Sequence, residues 1–203
     1  MASLSKKELM IEEQKFTGMG YYEYPTGGEY KGEFVNGMQD GFGTMTFKNY
    51  DLYEGDWKEG KMDGYGEYHF YDMKKDRFVA NYKGQFKNGV REGTGRMEYA
   101  NRNIYDGQWQ NNMRTGSGVC WLTNGNCFHG LWRFDEMLRG VFYTAKGDRY
   151  DGEFKNGKFE GYGKYFWKEG EWFEGTFKDG KPYAGILISP SGKMTEVVGG
   201  LTK

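Results

Sequence analysis

The sequence predicts an all-β chain: an elongated, twisted, single-layer antiparallel sheet of tandem β-hairpin repeats, with a short N-terminal helix. Three observations predict it. An aromatic-x-Gly-x-aromatic or aliphatic unit, Tyr30-Lys31-Gly32-Glu33-Phe34, recurs at Tyr53, Tyr82, Tyr105, Phe128, Tyr150 and Phe173, with steps of 23, 29, 23, 23, 22 and 23 residues. Each copy is followed by a polar Gly turn and then by a Gly-x-Gly that opens a second aromatic stretch, at Gly41/Gly43, Gly64/Gly66, Gly93/Gly95, Gly116/Gly118 and Gly161/Gly163. The 203 residues hold 34 Gly, 15 Phe, 17 Tyr and 6 Trp at a mean hydropathy of -0.89, so burial must rest on rings.

The elements follow in chain order. Ser5-Lys6-Lys7-Glu8 fits a capping box and Leu4, Met10 and Ile11 form an apolar stripe, which predicts a helical cap over 1–15. A half copy, Gly18-Met19-Gly20-Tyr21-Tyr22-Glu23-Tyr24, supplies the opening strand of an array over 16–188. Turns such as Lys58-Glu59-Gly60-Lys61 and Lys155-Asn156-Gly157-Lys158 join the strands of each hairpin. The long step from Tyr53 to Tyr82 assigns Tyr71-Asp72-Met73-Lys74-Lys75-Asp76-Arg77 to a longer, basic hairpin tip. Residues 189–203 are expected to form a C-terminal capping segment.

Alternation in a strand puts Tyr53, Gly55 and Trp57 on one face, and likewise Gly66, Tyr68 and Phe70. A glycine between two rings leaves a hole in which a neighbouring ring can lie, which explains why glycine and aromatic content rise together. At roughly 4.8 Å per strand the sheet is expected to extend on the order of 65–75 Å and to twist into a trough.

This combination of Tyr-x-Gly-x-Trp/Phe, Gly turn and Gly-x-Gly with an aromatic strand resembles the MORN repeat from about Phe16 to Gly185. Leu138 replaces the first Gly in the copy that opens at Phe128, and Tyr183 does so in the last. The chain is most similar to small MORN-only proteins, a resemblance that implies a protein-binding scaffold in cilia, flagella or other cytoskeletal assemblies. In some MORN families the repeats are linked to acidic phospholipids, which makes a membrane tether the alternative. MORN repeats accompany catalytic domains in larger proteins, but here they fill nearly the whole chain and leave no room for an enzyme.

The residues themselves point away from chemistry. A net charge of -1 offers no footprint for nucleic acid, and only Lys6-Lys7 and Lys74-Lys75-x-Arg77 offer the local basicity an anionic membrane wants. No apolar stretch spans a bilayer and no signal peptide is apparent, so the expectation is a soluble, intracellular protein with Cys120 and Cys127 reduced. His69 and His129 lie two repeats or more apart, without a nucleophile–base pattern. Cys120, Cys127 and His129 raise the question of zinc, yet fall short of four ligands at recognised spacings. Glu33, Glu54, Asp56, Asp106, Asp151, Glu153 and Glu174 recur with the repeat and read as a solvated stripe. The Gly-x-Gly pairs open no phosphate-binding helix. No catalytic, cofactor or metal residue is assigned.

Two surfaces compete for a partner, expected to be a helix or an extended peptide. One is the aromatic trough of Tyr30, Phe34, Tyr53, Trp57, Tyr82, Phe86, Tyr105 and Trp109, joined by Phe47, Phe70 and Tyr99. The other is the opposite face, polar early (Thr44, Thr46, Glu67, His69, Arg96, Glu98) but apolar later, through Val119, Trp121, Leu131, Val141, Tyr143, Phe166, Ile186 and Ile188. The chain's own ends could cover that patch, by the N-terminal helix or by Met194 to Leu201. An unpaired terminal strand also leaves room for a homodimer.

Overall fold

The computed structural model describes residues 16–201, so the helix expected over 1–15 lies outside the described residues. These form an all-β fold of sixteen strands: β1 (Gly18–Glu23), β2 (Gly28–Val35), β3 (Met38–Phe47), β4 (Leu52–Lys58), β5 (Lys61–Asp72), β6 (Arg77–Lys87), β7 (Val90–Glu98), β8 (Ile104–Gln110), β9 (Met113–Trp121), β10 (Cys127–Arg133), β11 (Glu136–Tyr143), β12 (Arg149–Lys155), β13 (Lys158–Phe166), β14 (Trp172–Lys178), β15 (Lys181–Ile188) and β16 (Met194–Val198). They lie in sequence order in one sheet, each beside its chain neighbour. The chain divides into two compact units. Unit 1 holds the described residues up to Arg102 together with Trp109–Asn112; unit 2 holds Asn103–Gln108 and the described residues from Met113 onward.

The turns follow from residue type. Asn36-Gly37, Glu59-Gly60, Asn88-Gly89, Asn156-Gly157 and Asp179-Gly180 all adopt positive φ at both positions, the backbone of a tight hairpin turn whose twist matches the flanking strands. Asn111-Asn112 and Phe134-Asp135 do the same without glycine.

In unit 1 the glycines face each other in pairs, Gly32 with Gly43, Gly55 with Gly66 and Gly84 with Gly95. Over each pair lies the tyrosine of the same repeat: a Cβ at Gly66 would stand 2.5 Å from Tyr53 Cζ. The hydroxyls of Tyr30, Tyr53 and Tyr82 donate to the carbonyls of Glu33, Asp56 and Gln85 at 2.9–3.0 Å. The second ring of the following repeat then closes edge-on over the tyrosine, Trp57 on Tyr30 at 5.2 Å, Phe86 on Tyr53 at 5.1 Å and Trp109 on Tyr82 at 5.3 Å. Unit 2 repeats the device with Trp132 on Tyr105, Phe154 on Phe128 and Phe177 on Tyr150. A single layer thus gains a core without a second sheet.

Carboxylates fasten one hairpin turn to the next. Asp40, Asp63 and Glu92 accept the backbone N–H of Glu59, Asn88 and Asn111. At the other end of the hairpins the buried Asp51 accepts Tyr71 N–H and the Tyr68 hydroxyl, and Asp148 serves Lys168 N–H and Tyr165. The inserted residues lengthen β5 and β6 to a turn over 73–76, with Asp72 facing Arg77. Residues 194–198 add β16 to the edge of β15, with the buried Val197 opposite Gly185.

Candidate functional site

The eight trough rings, Tyr30, Phe34, Tyr53, Trp57, Tyr82, Phe86, Tyr105 and Trp109, are all buried. Within each unit the tyrosines lie over the glycines and the second rings stand edge-on upon them, so these rings constitute the core and leave no open groove of their own. Open on that face in unit 1 is a cleft of about 210 Å³ lined by Met62, Tyr68, Phe70, Tyr82, Phe86, Gly89, Arg91 and Asn112. Arg91 closes one side, its guanidinium 4.4 Å from the Trp109 ring and donating to the Asn112 carbonyl.

The outer face, opposite the rings, differs between the units. In unit 1 one rung of directly facing residues runs Glu29, Thr46, Leu52, His69, Asn81, Glu98. The same rung in unit 2 runs Trp121, Cys127, Tyr143, Arg149, Phe166, Trp172, Ile188, Met194. Trp121 is 41% and Tyr143 46% exposed. The neighbouring rung begins Val119, His129, Val141, and Leu131, 49% exposed, stands beyond it facing Ser117 and Arg139. All six residues expected to bind a partner, Val119, Trp121, Leu131, Val141, Tyr143 and Phe166, therefore share one face of unit 2.

Three charges on this face, Arg149, Lys164 and Glu174, are paired or stacked. Arg149 lies over the Phe166 ring at 4.2 Å, and Phe166 stacks on Trp172 at 5.9 Å between centroids. Lys164 bridges Glu174 at 3.0 Å. The Tyr162 hydroxyl, donating to Glu174 at 2.6 Å, and then Lys164 hold the Glu174 carboxyl below its ordinary value. Strand β16 pairs beside β15 instead of crossing the patch. Sequence reasoning missed Cys127, Arg149 and Trp172; counting three residues outward from the facing glycines Gly130 and Gly140, Gly152 and Gly163, and Gly163 and Gly175 finds all three.

Alternation also separates the thiols. Cys120 faces Phe128 on the ring face while Cys127 faces Trp121 on the outer face, with His129 on the side of Cys127. Burial pushes both thiols up. Among the described residues no three His, Cys, Asp or Glu side chains gather to hold a metal ion.

The family model of the MORN repeat matches residues 30–52, 53–72, 82–104, 105–127 and 150–172, together more than half of the chain. The copies opening at Phe128 and Phe173, where phenylalanine stands for tyrosine, lie outside the matched segments. No curated protein matches the sequence significantly. Similar solved structures include the SAS-4 (dCPAP) TCP domain in complex with a proline-rich motif of Ana2 (dSTIL) of Drosophila melanogaster, 14% identical with a TM-score of 0.47 over 78% of this chain and 85% of that one. The G-box domain of the microcephaly protein CPAP is 12% identical with a TM-score of 0.31, over 88% and 97%. The TCP10 domain of Danio rerio CPAP in complex with a STIL peptide is 14% identical with a TM-score of 0.28, over 87% and 92%.

Proposed function

The chain belongs to the MORN-repeat family, and on that premise we propose that it is a non-catalytic protein-interaction scaffold whose partner docks on the outer face of unit 2. One observation carries the reading. In four copies the residue before the second ring, Glu33, Asp56, Gln85 or Gln108, accepts the backbone N–H of Phe42, Tyr65, Thr94 or Ser117 at 2.7–3.0 Å. In the fifth copy that residue is Leu131, which gives up a hydrogen bond worth about 1 kcal/mol and half-exposes an aliphatic side chain on the face that also carries Trp121 and Tyr143, two rungs away. An amphipathic helix or extended peptide with an apolar side is the occupant such a surface fits. Placement in an axonemal or other cytoskeletal assembly is supported by the resemblance to small MORN-only proteins.

The test is affinity purification with mass spectrometry from ciliated and non-ciliated cells, comparing the intact chain with Trp121→Glu/Leu131→Glu. Both positions are substantially exposed, so unfolding curves should agree within about 0.5 kcal/mol. Axonemal or cytoskeletal proteins lost with the double variant support the proposal; an unchanged partner set overturns the site. Size-exclusion of both forms reads out a homodimer through the same face. A membrane tether would need clustered cations, whereas in the basic tip Lys75 is bridged to Asp72 at 3.3 Å. Sedimentation with anionic liposomes at physiological salt separates the two readings.

A further inference from the structure

We propose that unit 1 carries a separate binding site, on its own outer face, for the guanidinium of an arginine side chain supplied by a partner protein. The site is built over β4. Phe42 on β3 and Tyr65 on β5 are the middle residues of two successive Gly-x-Gly units, and both are more than half exposed, at 51% and 53%. With one strand between them their Cα atoms are roughly 9.6 Å apart, the span in which two rings can face one planar group at ordinary contact distance. Asp56, which faces Phe42 from β4, does not fill that gap, because its carboxylate accepts Tyr65 N–H at 2.8 Å. A cavity of about 230 Å³ opens there, floored by Gly55 and Gly66 and lined by Phe42, Glu54, Tyr65, Glu67, His69 and Lys83.

The charges in this cavity are left unbalanced. Glu54 and Glu67 face each other directly across β4 and β5, an arrangement of like charges that costs stability. Glu67 is relieved by Lys83 and His69, each at 3.5 Å, and by the Asn81 amide at 3.2 Å. Glu54 has no hydrogen-bond or ion-pair partner among the described residues. An entering cation would relieve the pair, and a guanidinium fits better than an ammonium: its plane stacks on Phe42 and Tyr65 while its fork meets the Glu54 carboxylate. In unit 2 one of the slots equivalent to Phe42 holds the chain's own Arg139, facing Glu153.

The test is a 1H–15N titration of the full chain with N-acetyl-Gly-Arg-Gly-amide, and with the same peptide carrying lysine or citrulline. The arginine peptide is expected to shift the amides of Phe42, Glu54, Tyr65 and Glu67 saturably, the lysine peptide to bind several-fold more weakly and the citrulline peptide to leave them in place. Glu54→Gln or Tyr65→Leu should weaken arginine binding about tenfold with the rest of the spectrum unchanged. No saturable shift, equal binding of lysine or citrulline, or full affinity in Glu54→Gln overturns the proposal. Trp121→Glu/Leu131→Glu should bind the peptide as the wild type does, so the two surfaces stand or fall separately.

Discussion

Substituting Gly66 by alanine tests whether the glycine pairs exist to house rings. An added Cβ would stand 2.5 Å from both Cε2 and Cζ of Tyr53, so the ring has to retreat by about 1 Å to reach ordinary contact. Tyr53 is fully buried between Trp57 and Phe86, and its hydroxyl is tied to the Asp56 carbonyl at 2.9 Å. Forcing a methyl group into such a site costs about 1–3 kcal/mol. The Tyr53 hydrogen bond adds about 1 kcal/mol, and the stiffer unfolded chain returns about 0.4–1 kcal/mol. The expected destabilisation is about 1–4 kcal/mol, read from urea unfolding followed by tryptophan fluorescence. Because the clash is with one ring, Tyr53→Leu should absorb part of it. The double variant Tyr53→Leu/Gly66→Ala is expected to be at least about 1 kcal/mol more stable than the two single losses sum to. Gly66→Ala within about 0.5 kcal/mol of wild type, or strict additivity, would refute the ring-over-glycine account.

Asp51→Ala strands the Tyr71 N–H and the Tyr68 hydroxyl and should cost about 2–4 kcal/mol in the same assay, with amide exchange rising first at Tyr71. Burial first of all raises the hydroxyls of Tyr30, Tyr53, Tyr82 and Tyr150 well above their ordinary value of 10. Their folded form keeps the proton that the unfolded chain loses, so their contribution is fully present below about pH 10. It falls above that by up to about 1.4 kcal/mol per pH unit for each group, which alkaline unfolding monitored by circular dichroism would show. Mild oxidant should leave the melting temperature unchanged, since Cys120 and Cys127 lie on opposite faces of adjacent strands. Cys127 should be alkylated before the buried Cys120; a bridge between them would refute the assigned register.

Much of this architecture is legible because its signal is local. Tyr53, Gly55 and Trp57 share a face by alternation alone, and the facing of Gly55 with Gly66 follows from the hairpin turn at Glu59-Gly60. The register shift after Gly55 is not local. It turns Asp56 from a member of an acidic stripe into an acceptor for Tyr65 N–H, a role that counting by twos conceals, and Glu33 changes meaning in the same way. The trough reads as open in sequence because alternation gives the side of a ring but not its tilt; tilt is set by the holes at the glycines. Trp172 and Arg149 escape for a related reason, since they occupy otherwise polar repeat positions and join Phe166 only once three strands are in register.

The ring that closes each tyrosine always arrives with the next repeat, Trp57 for Tyr30 and Phe177 for Tyr150. Each module is therefore finished only by its successor, and an inserted 23-residue module carries in the lid for the one before it while handing on the same vacancy. Such an array can change its number of modules by duplication or deletion without redesigning any contact, because stability is a sum of like neighbour terms. Beyond the last of these rings the aliphatic Val197 stands opposite Gly185, where the Phe173 ring lies, so loss of β16 should loosen the modules beside it first while leaving distant modules intact.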